Sequence, residues 1–182
     1  MTGYLLKFGA IILILLPIYL LARRPWERWS RREAAIAVFV LFIAALLVLT
    51  LEGKYALPAE MLARAVERLK SGEGINFVPF RSIVSYFRHY GPDLFLVNFL
   101  GNIIMFMPWG FGLVLLWKRN QKVWAVMAYS LVFTVFIEVS QLFVERSVDV
   151  DDMILNFAGS CLGAGLYFVL RKIFPRLSEF AR

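Results

Sequence analysis

Residues 94–117 read LFLVNFLGNIIMFMPWGFGLVLLW, a stretch without one charged side chain. A helix rises about 1.5 Å per residue, so roughly 20 apolar residues cross the ~30 Å hydrocarbon layer of a bilayer. Residues 4–22, 34–51, 123–144 and 153–170 match or approach that length, and the last lengthens if its helix starts near Asp149. No run alternates apolar and polar residues for long, which argues against membrane strands. Of the 182 residues, 60% are apolar and 18% charged, against about 25% charged in a soluble domain. A chain this short cannot bury so much apolar surface in water. The expected fold class is therefore all-α. It is a polytopic helical membrane bundle of about five transmembrane helices, with an extracytoplasmic amphipathic and interfacial segment. A soluble globular enzyme does not fit.

The charges orient the bundle. Take residues 23–33, residues 118–122 and the tail beyond 170 as one side. That side holds 12 of the 20 Lys and Arg and 3 of the 13 acids, and the rest of the chain holds 8 and 10. Arg23, Arg24, Arg28, Arg31, Arg32, Lys118, Arg119, Lys122, Arg171 and Lys172 flank span ends, where the positive-inside bias acts. They are expected in the cytoplasm, with the N-terminus outside and the C-terminus inside. Topology thus accounts for the net charge of +7, which gives no support to nucleic-acid binding. The first span reads as a retained helix, since Lys7 is its only early charge and Leu-Ala-Arg-Arg closes it without a small-x-small cleavage site. The single cysteine, Cys161, lies within the fifth span and has no intramolecular partner. The expected organisation is one domain in four parts. Two N-terminal transmembrane helices (1–52) precede an extracytoplasmic segment (53–93), a three-helix core (94–172) and a cytoplasmic tail (173–182).

Local signals refine this plan. Ser30 and Glu33 have capping-box spacing before the second span. Pro58 suits a first helical turn, after which Leu62, Ala65, Val66 and Leu69 share a face opposite Arg64, Glu67, Arg68 and Lys70. That pattern is an amphipathic helix on the outer membrane surface. A Ser-Gly-Glu-Gly break at 71–74 leads to apolar residues 75–83, too short to span and suited to the interface or to covering the bundle.

Polar residues inside the spans are costly, roughly 2.5–3.5 kcal/mol for a central carboxylate, and are functional candidates for that reason. Asn98 and Asn102 share one face, about 6 and 12 Å below the outer end of the third span. Glu138 lies about 9 Å below the outer end of the fourth, with Gln141 one turn nearer the surface. Asn156 is about 5 Å into the fifth. All occupy one leaflet. Arg146 is the nearest cation, expected to pair with Glu138, Asp149 or Asp152. Asp149, Asp152, Asn156, Gly159 and Gly163 form one helical stripe, in which Gly159-x-x-x-Gly163 allows close helix packing. Pro108-Trp-Gly110 suggests a kink.

Four ordered motifs carry a resemblance. They are Asn76-Phe-Val-Pro79-Phe-Arg81, Asn98-Phe-Leu-Gly101-Asn102-Ile-Ile-Met-Phe106-Met-Pro108-Trp-Gly110, Glu138-Val-Ser-Gln141, and Arg146-Ser-Val-Asp149-Val-Asp-Asp152-Met-Ile-Leu-Asn156-Phe-Ala-Gly159. Over residues 76–167 the chain resembles the VanZ-like family of small bacterial membrane proteins. The resemblance implies a bacterial plasma-membrane location and an association with resistance to lipoglycopeptides such as teicoplanin. It supplies no biochemical activity. Asn76 and Arg81 join the candidate site on the strength of the first motif.

The candidate ligand-binding set is Asn76, Arg81, Asn98, Asn102, Glu138, Gln141, Arg146, Asp149, Asp152 and Asn156. Framed by Phe77, Phe80, Phe106 and Trp109, it suits a polar headgroup whose acyl chain lies between helices. An envelope lipid or lipid-tailed ligand is the expected partner. The alternative is a membrane-embedded hydrolase or transferase acting on a lipid-linked envelope substrate, with Glu138, Asp149 and Asp152 as candidate catalytic acids. No cofactor is expected. A hard cation on Asp149, Asp151, Asp152 and Glu138 would compete with Arg146, and one histidine, His89, with one buried cysteine gives no zinc set. Ser82, Ser85, Ser140 and Ser147 lack a histidine base at motif spacing, and no phosphate loop or nucleophile elbow is present.

Overall fold

The computed structural model describes residues 2–25, 30–55, 57–89 and 91–181, with side chains from residue 9 onward. Arg28 of the basic cluster and the side chain of Lys7 lie outside the described residues.

Among the described residues there are seven α-helices: α1 (Thr2–Arg23), α2 (Arg31–Thr50), α3 (Pro58–Ser71), α4 (Arg81–His89), α5 (Gly91–Leu116), α6 (Val123–Phe143) and α7 (Val150–Ile173). Short 3₁₀ helices follow α5 (Lys118–Gln121) and α7 (Pro175–Phe180). Helices α2, α5, α6 and α7 are long and apolar enough to cross a membrane, and the described part of α1, Gly9–Arg23, is apolar as well. This is a helical integral membrane protein. Leu13, Val38, Leu41, Ile104, Val132, Leu166 and Val169 are exposed along the helices, a pattern that suits lipid and would be a liability in water.

Helix ends follow local chemistry. Ser30 caps α2 by accepting the Glu33 N–H (3.3 Å). The reciprocal arm of the expected capping box is not made, because the Glu33 carboxylate pairs with Arg23 and Arg32. Pro58 opens α3, and Gly72, at φ +73°, closes it in the left-handed conformation that favours glycine. Asp149 caps α7 through the Asp151 N–H (2.9 Å), so the fifth span starts at the earlier of its two expected positions. Helix α5 continues through Pro108 to Leu116.

Helices α5 and α7 form the spine. A Cβ on Gly159 would collide with the carbonyl of Ile103, and one on Gly163 with that of Met107. Equal steps along both chains mean that the helices run side by side in the same direction. Two small residues one turn apart thus permit the backbone approach expected of such a stripe. Gly110 returns the contact against the Ser160 carbonyl. Phe106 and Ile137 meet Leu46 in one buried cluster, and Tyr167, Val114, Val126 and Ala164 form another. Across the polar end, Ile75–Asn76 (β1) and Val148–Asp149 (β2) make a two-residue parallel ladder, pairing Asn76 with Asp149.

Candidate functional site

The ladder brings the first family motif onto the last. Asp149 is the hub. Its Oδ1 accepts the Asn76 amide (2.9 Å) and the Asp151 N–H (2.9 Å), and its Oδ2 accepts the Ser82 hydroxyl. Its own N–H donates to Glu138 Oε2 of α6 (3.0 Å). Asp151, buried at 1% exposure, accepts the N–H groups of Phe80, Ser82 (2.8 Å) and Ile83 (3.1 Å). It therefore satisfies the unpaired donors at the start of α4 and holds that helix over the polar end. One residue on, Asp152 accepts the Asn102 amide of α5 (2.8 Å).

Between α4, the ladder and the N-terminal parts of α5 and α7 lies an open pocket of about 450 Å³. Six of the ten candidate residues line it: Asn76, Arg81, Asn98, Arg146, Asp149 and Asp152. Asn102 and Glu138 stand behind the lining, bonded to Asp152 and Asp149. Asn156 is buried one turn deeper than Asp152, and its Oδ1 has no hydrogen-bond partner among the described residues. Gln141 turns away, donating to the Thr50 carbonyl of α2 (2.9 Å).

Arg146 behaves differently from the sequence expectation. It forms no ion pair with a described acid. Its Nη1 instead donates to the carbonyls of Leu49 (2.9 Å) and Thr50 (3.1 Å), which are orphan acceptors at the end of α2. The guanidinium of Arg81, exposed at the pocket rim, makes no hydrogen bond or ion pair with a described residue. It is the lining cation left for an incoming acceptor. Phe77 and Phe80 are exposed on the ladder-to-α4 connection. Phe106 is buried in the core, and Trp109 stacks on Phe133 (centroids 3.9 Å apart), so neither lines the polar pocket.

Ser82, Ser85 and Ser147, to which sequence spacing assigned no role, also line the pocket, as does Tyr86. Ser82 follows Arg81 directly, so its place beside the first motif was available as a signal. The capping role of Asp151 was not, since it acts on a helix about seventy residues earlier.

A helical membrane protein with a polar, charge-lined pocket at one end of its bundle is the class these features define. The family model described as VanZ/LLP1 matches residues 36–171, well over half the chain, and the protein belongs to that family. The match begins inside α2, earlier than the first of the four motifs. Comparison with curated proteins and with solved structures finds no match in either.

Proposed function

We propose that this VanZ-family protein binds an envelope lipid or lipid-tailed ligand in the pocket at the polar end of its bundle. The observation that carries the reading is the pocket's lining. The Arg81 guanidinium is unengaged, while Asp149 is fixed by the Asn76 amide, the Ser82 hydroxyl and the Asp151 N–H, and Asp152 by the Asn102 amide. A phosphate or carboxylate on the ligand would meet the Arg81 fork. Donor groups would meet the remaining lone pairs of the two carboxylates and the Asn98 amide oxygen. Exposed Phe77, Phe80 and Phe87 near the rim suit the boundary between headgroup and acyl chain. The bias of basic residues toward the other end supports an outward-facing pocket, with the N-terminus outside and the tail in the cytoplasm. Lowered sensitivity to lipoglycopeptides such as teicoplanin follows if the retained molecule belongs to the target of those antibiotics. The four-part division of the chain fits the same reading, with 53–93 as the lid over the core.

Native mass spectrometry of gently extracted protein tests this. A co-purifying lipid that is lost in Arg81→Gln supports it, and protein that carries no lipid beyond bulk annular species overturns it. The enzyme alternative has a specific foothold in the hydrogen bond between Ser82 and Asp149. A released product on incubation with envelope lipids would favour it, with Asp149 or Asp152 as the acting acid, because Glu138 does not face the pocket.

A further inference from the structure

The opposite end of the bundle holds a second hollow, of about 300 Å³, between the turn after α5 and the end of α7. Lys118, Gln121, Arg171, Pro175 and Ser178 line it. Two of these are cations, and neither has a described acid within ion-pairing distance. Arg171 is held by a neutral group: its Nη1 donates to Gln121 Oε1 (3.2 Å). Gln121 is fixed in turn, donating to the hydroxyl of the fully buried Tyr167 (3.1 Å) and to the Val114 carbonyl (3.4 Å). The floor is equally anchored. Leu177 packs on the Tyr167 cluster, and buried Arg32 ties the Phe180 carbonyl (2.9 Å) to that of Leu116 (3.0 Å). A guanidinium oriented by an amide keeps its whole charge and most of its donors for something else.

The rim says what that is. Val123 and Trp124, which follow Gln121 closely in the chain, and Ile173 and Phe174, which precede Pro175, are exposed, and tryptophan beside a cluster of basic residues marks the headgroup level of a bilayer. Basic pockets between transmembrane helices at that level receive lipid phosphates. We infer that the Lys118–Arg171 hollow binds the phosphate of an anionic membrane lipid, whose acyl chains lie along the apolar rim. Lys118 acts as a mobile point charge, and Arg171 offers a pre-oriented fork to two phosphate oxygens. Free phosphate shares the chemistry of the headgroup but gains nothing from the rim. This site is separate from the pocket at the other end and does not depend on the reading of that pocket.

The test uses the full chain in phosphatidylcholine nanodiscs, titrated with short-chain phosphatidylglycerol, short-chain phosphatidylcholine or inorganic phosphate. Lys118→Gln/Arg171→Gln is compared with Lys172→Gln/Arg176→Gln, which removes the same charge outside the hollow. The expected result is preferential binding of phosphatidylglycerol, weakened at least tenfold by the first double change and less than threefold by the second. Equal weakening by both, or equal binding of the two lipids, would overturn the inference by reducing it to the general field of this end. Inorganic phosphate binding as tightly as phosphatidylglycerol would overturn the lipid assignment. If the first double variant does not fold, Lys118→Gln alone decides. Lys118 is exposed and its ammonium has no ion-pair partner among the described residues, so its expected effect is a threefold or greater loss, and unchanged affinity would count against the site.

Discussion

The Glu138 carboxylate of α6 accepts the backbone N–H of Asp149 at 3.0 Å, and this bond fixes where α7 begins. Glu138 is 2% exposed, and its second oxygen has no hydrogen-bond partner among the described residues. It therefore acts on the pocket through the placement of Asp149 and lies outside the lining.

That relationship predicts a graded response. Glu138→Gln keeps an oxygen acceptor for the Asp149 N–H but replaces the second carboxyl oxygen with an NH2 group, which has two donors to satisfy in a buried place. Ligand retention is expected to fall severalfold, with protein still accumulating in the membrane. Glu138→Leu removes the acceptor and should destabilise the protein by roughly 1–3 kcal/mol, the cost of an unsatisfied buried donor. Melting of both variants beside native mass spectrometry checks this. An unchanged melting temperature in the leucine variant would mean that the bond does not hold α7 in place.

Arg146 carries a second prediction. Its guanidinium donates to the Leu49 and Thr50 carbonyls, and Gln141 also donates to Thr50, so Arg146→Gln should cost about 1 kcal/mol, chiefly by leaving the Leu49 carbonyl without its donor. Removing Glu138 as well should not restore that stability, because the two do not pair. A double-mutant cycle on melting temperatures measures it, and rescue by the second change would reinstate the ion pair.

The glycines give a contrast within one helix. Gly159→Ala and Gly163→Ala each drive a methyl group into the backbone of α5, and about 1–3 kcal/mol of destabilisation is expected for such overpacking. Gly165 faces open space, so Gly165→Ala should be neutral or slightly stabilising through its better helix propensity. Thermal unfolding in one detergent ranks the three, and equal effects would remove the close α5–α7 contact from the account.

How much of this was legible in the sequence depends on what each feature needed. The spans were, because crossing hydrocarbon takes about twenty apolar residues whatever their partners. Asn102, Glu138 and Asp152 stood out because polar groups there are expensive. The destination of Arg146 was not legible. Its closeness to Glu138 in the chain suggested a pair, but Glu145 takes φ +58° just after α6, and beyond that turn the arginine reaches the end of α2. The same gap hid the capping of α4 by Asp151, which exists only once β1 and β2 have met. Long-range hydrogen bonds leave no period in a sequence.

Acid should loosen α3. Glu145 accepts from Arg64 and pairs with Lys54 (3.2 Å). The Arg64 hydrogen bond, followed by that of Lys54, holds its carboxyl below the usual carboxylate range. A carboxyl whose folded pKa is depressed contributes stability above its unfolded pKa and loses it as pH falls through the folded one. The tie between α3 and the end of α6 should therefore persist at neutral pH and weaken below about pH 4. Hydrogen exchange across α3 is expected to show that step in the wild type and not in Glu145→Gln. The effect is small because exposed ion pairs contribute little, and identical pH profiles would remove Glu145 as the cause.

Orientation is the prediction on which the source of the ligand turns. The polar pocket and the basic hollow sit at opposite ends of the bundle, and the segments assigned to the hollow's side by sequence, 23–33, 118–122 and 171–182, hold 12 of the 20 Lys and Arg. Basic residues beside span ends resist translocation, so the hollow is expected to face the cytoplasm and the pocket the envelope. Ser71, at the end of α3, and Arg119, in the turn after α5, are both exposed. Cys161 is the only native thiol, so Cys161→Ala gives a silent background. In intact cells, Ser71→Cys should react with an impermeant maleimide, and Arg119→Cys should react only after the membrane is opened. Both sites should label equally in detergent, which separates topology from simple inaccessibility. The reverse pattern would place Arg81, Asp149 and Asp152 in the cytoplasm, where no lipid-tailed ligand arriving from outside could reach them, and the envelope reading of the pocket would have to be abandoned.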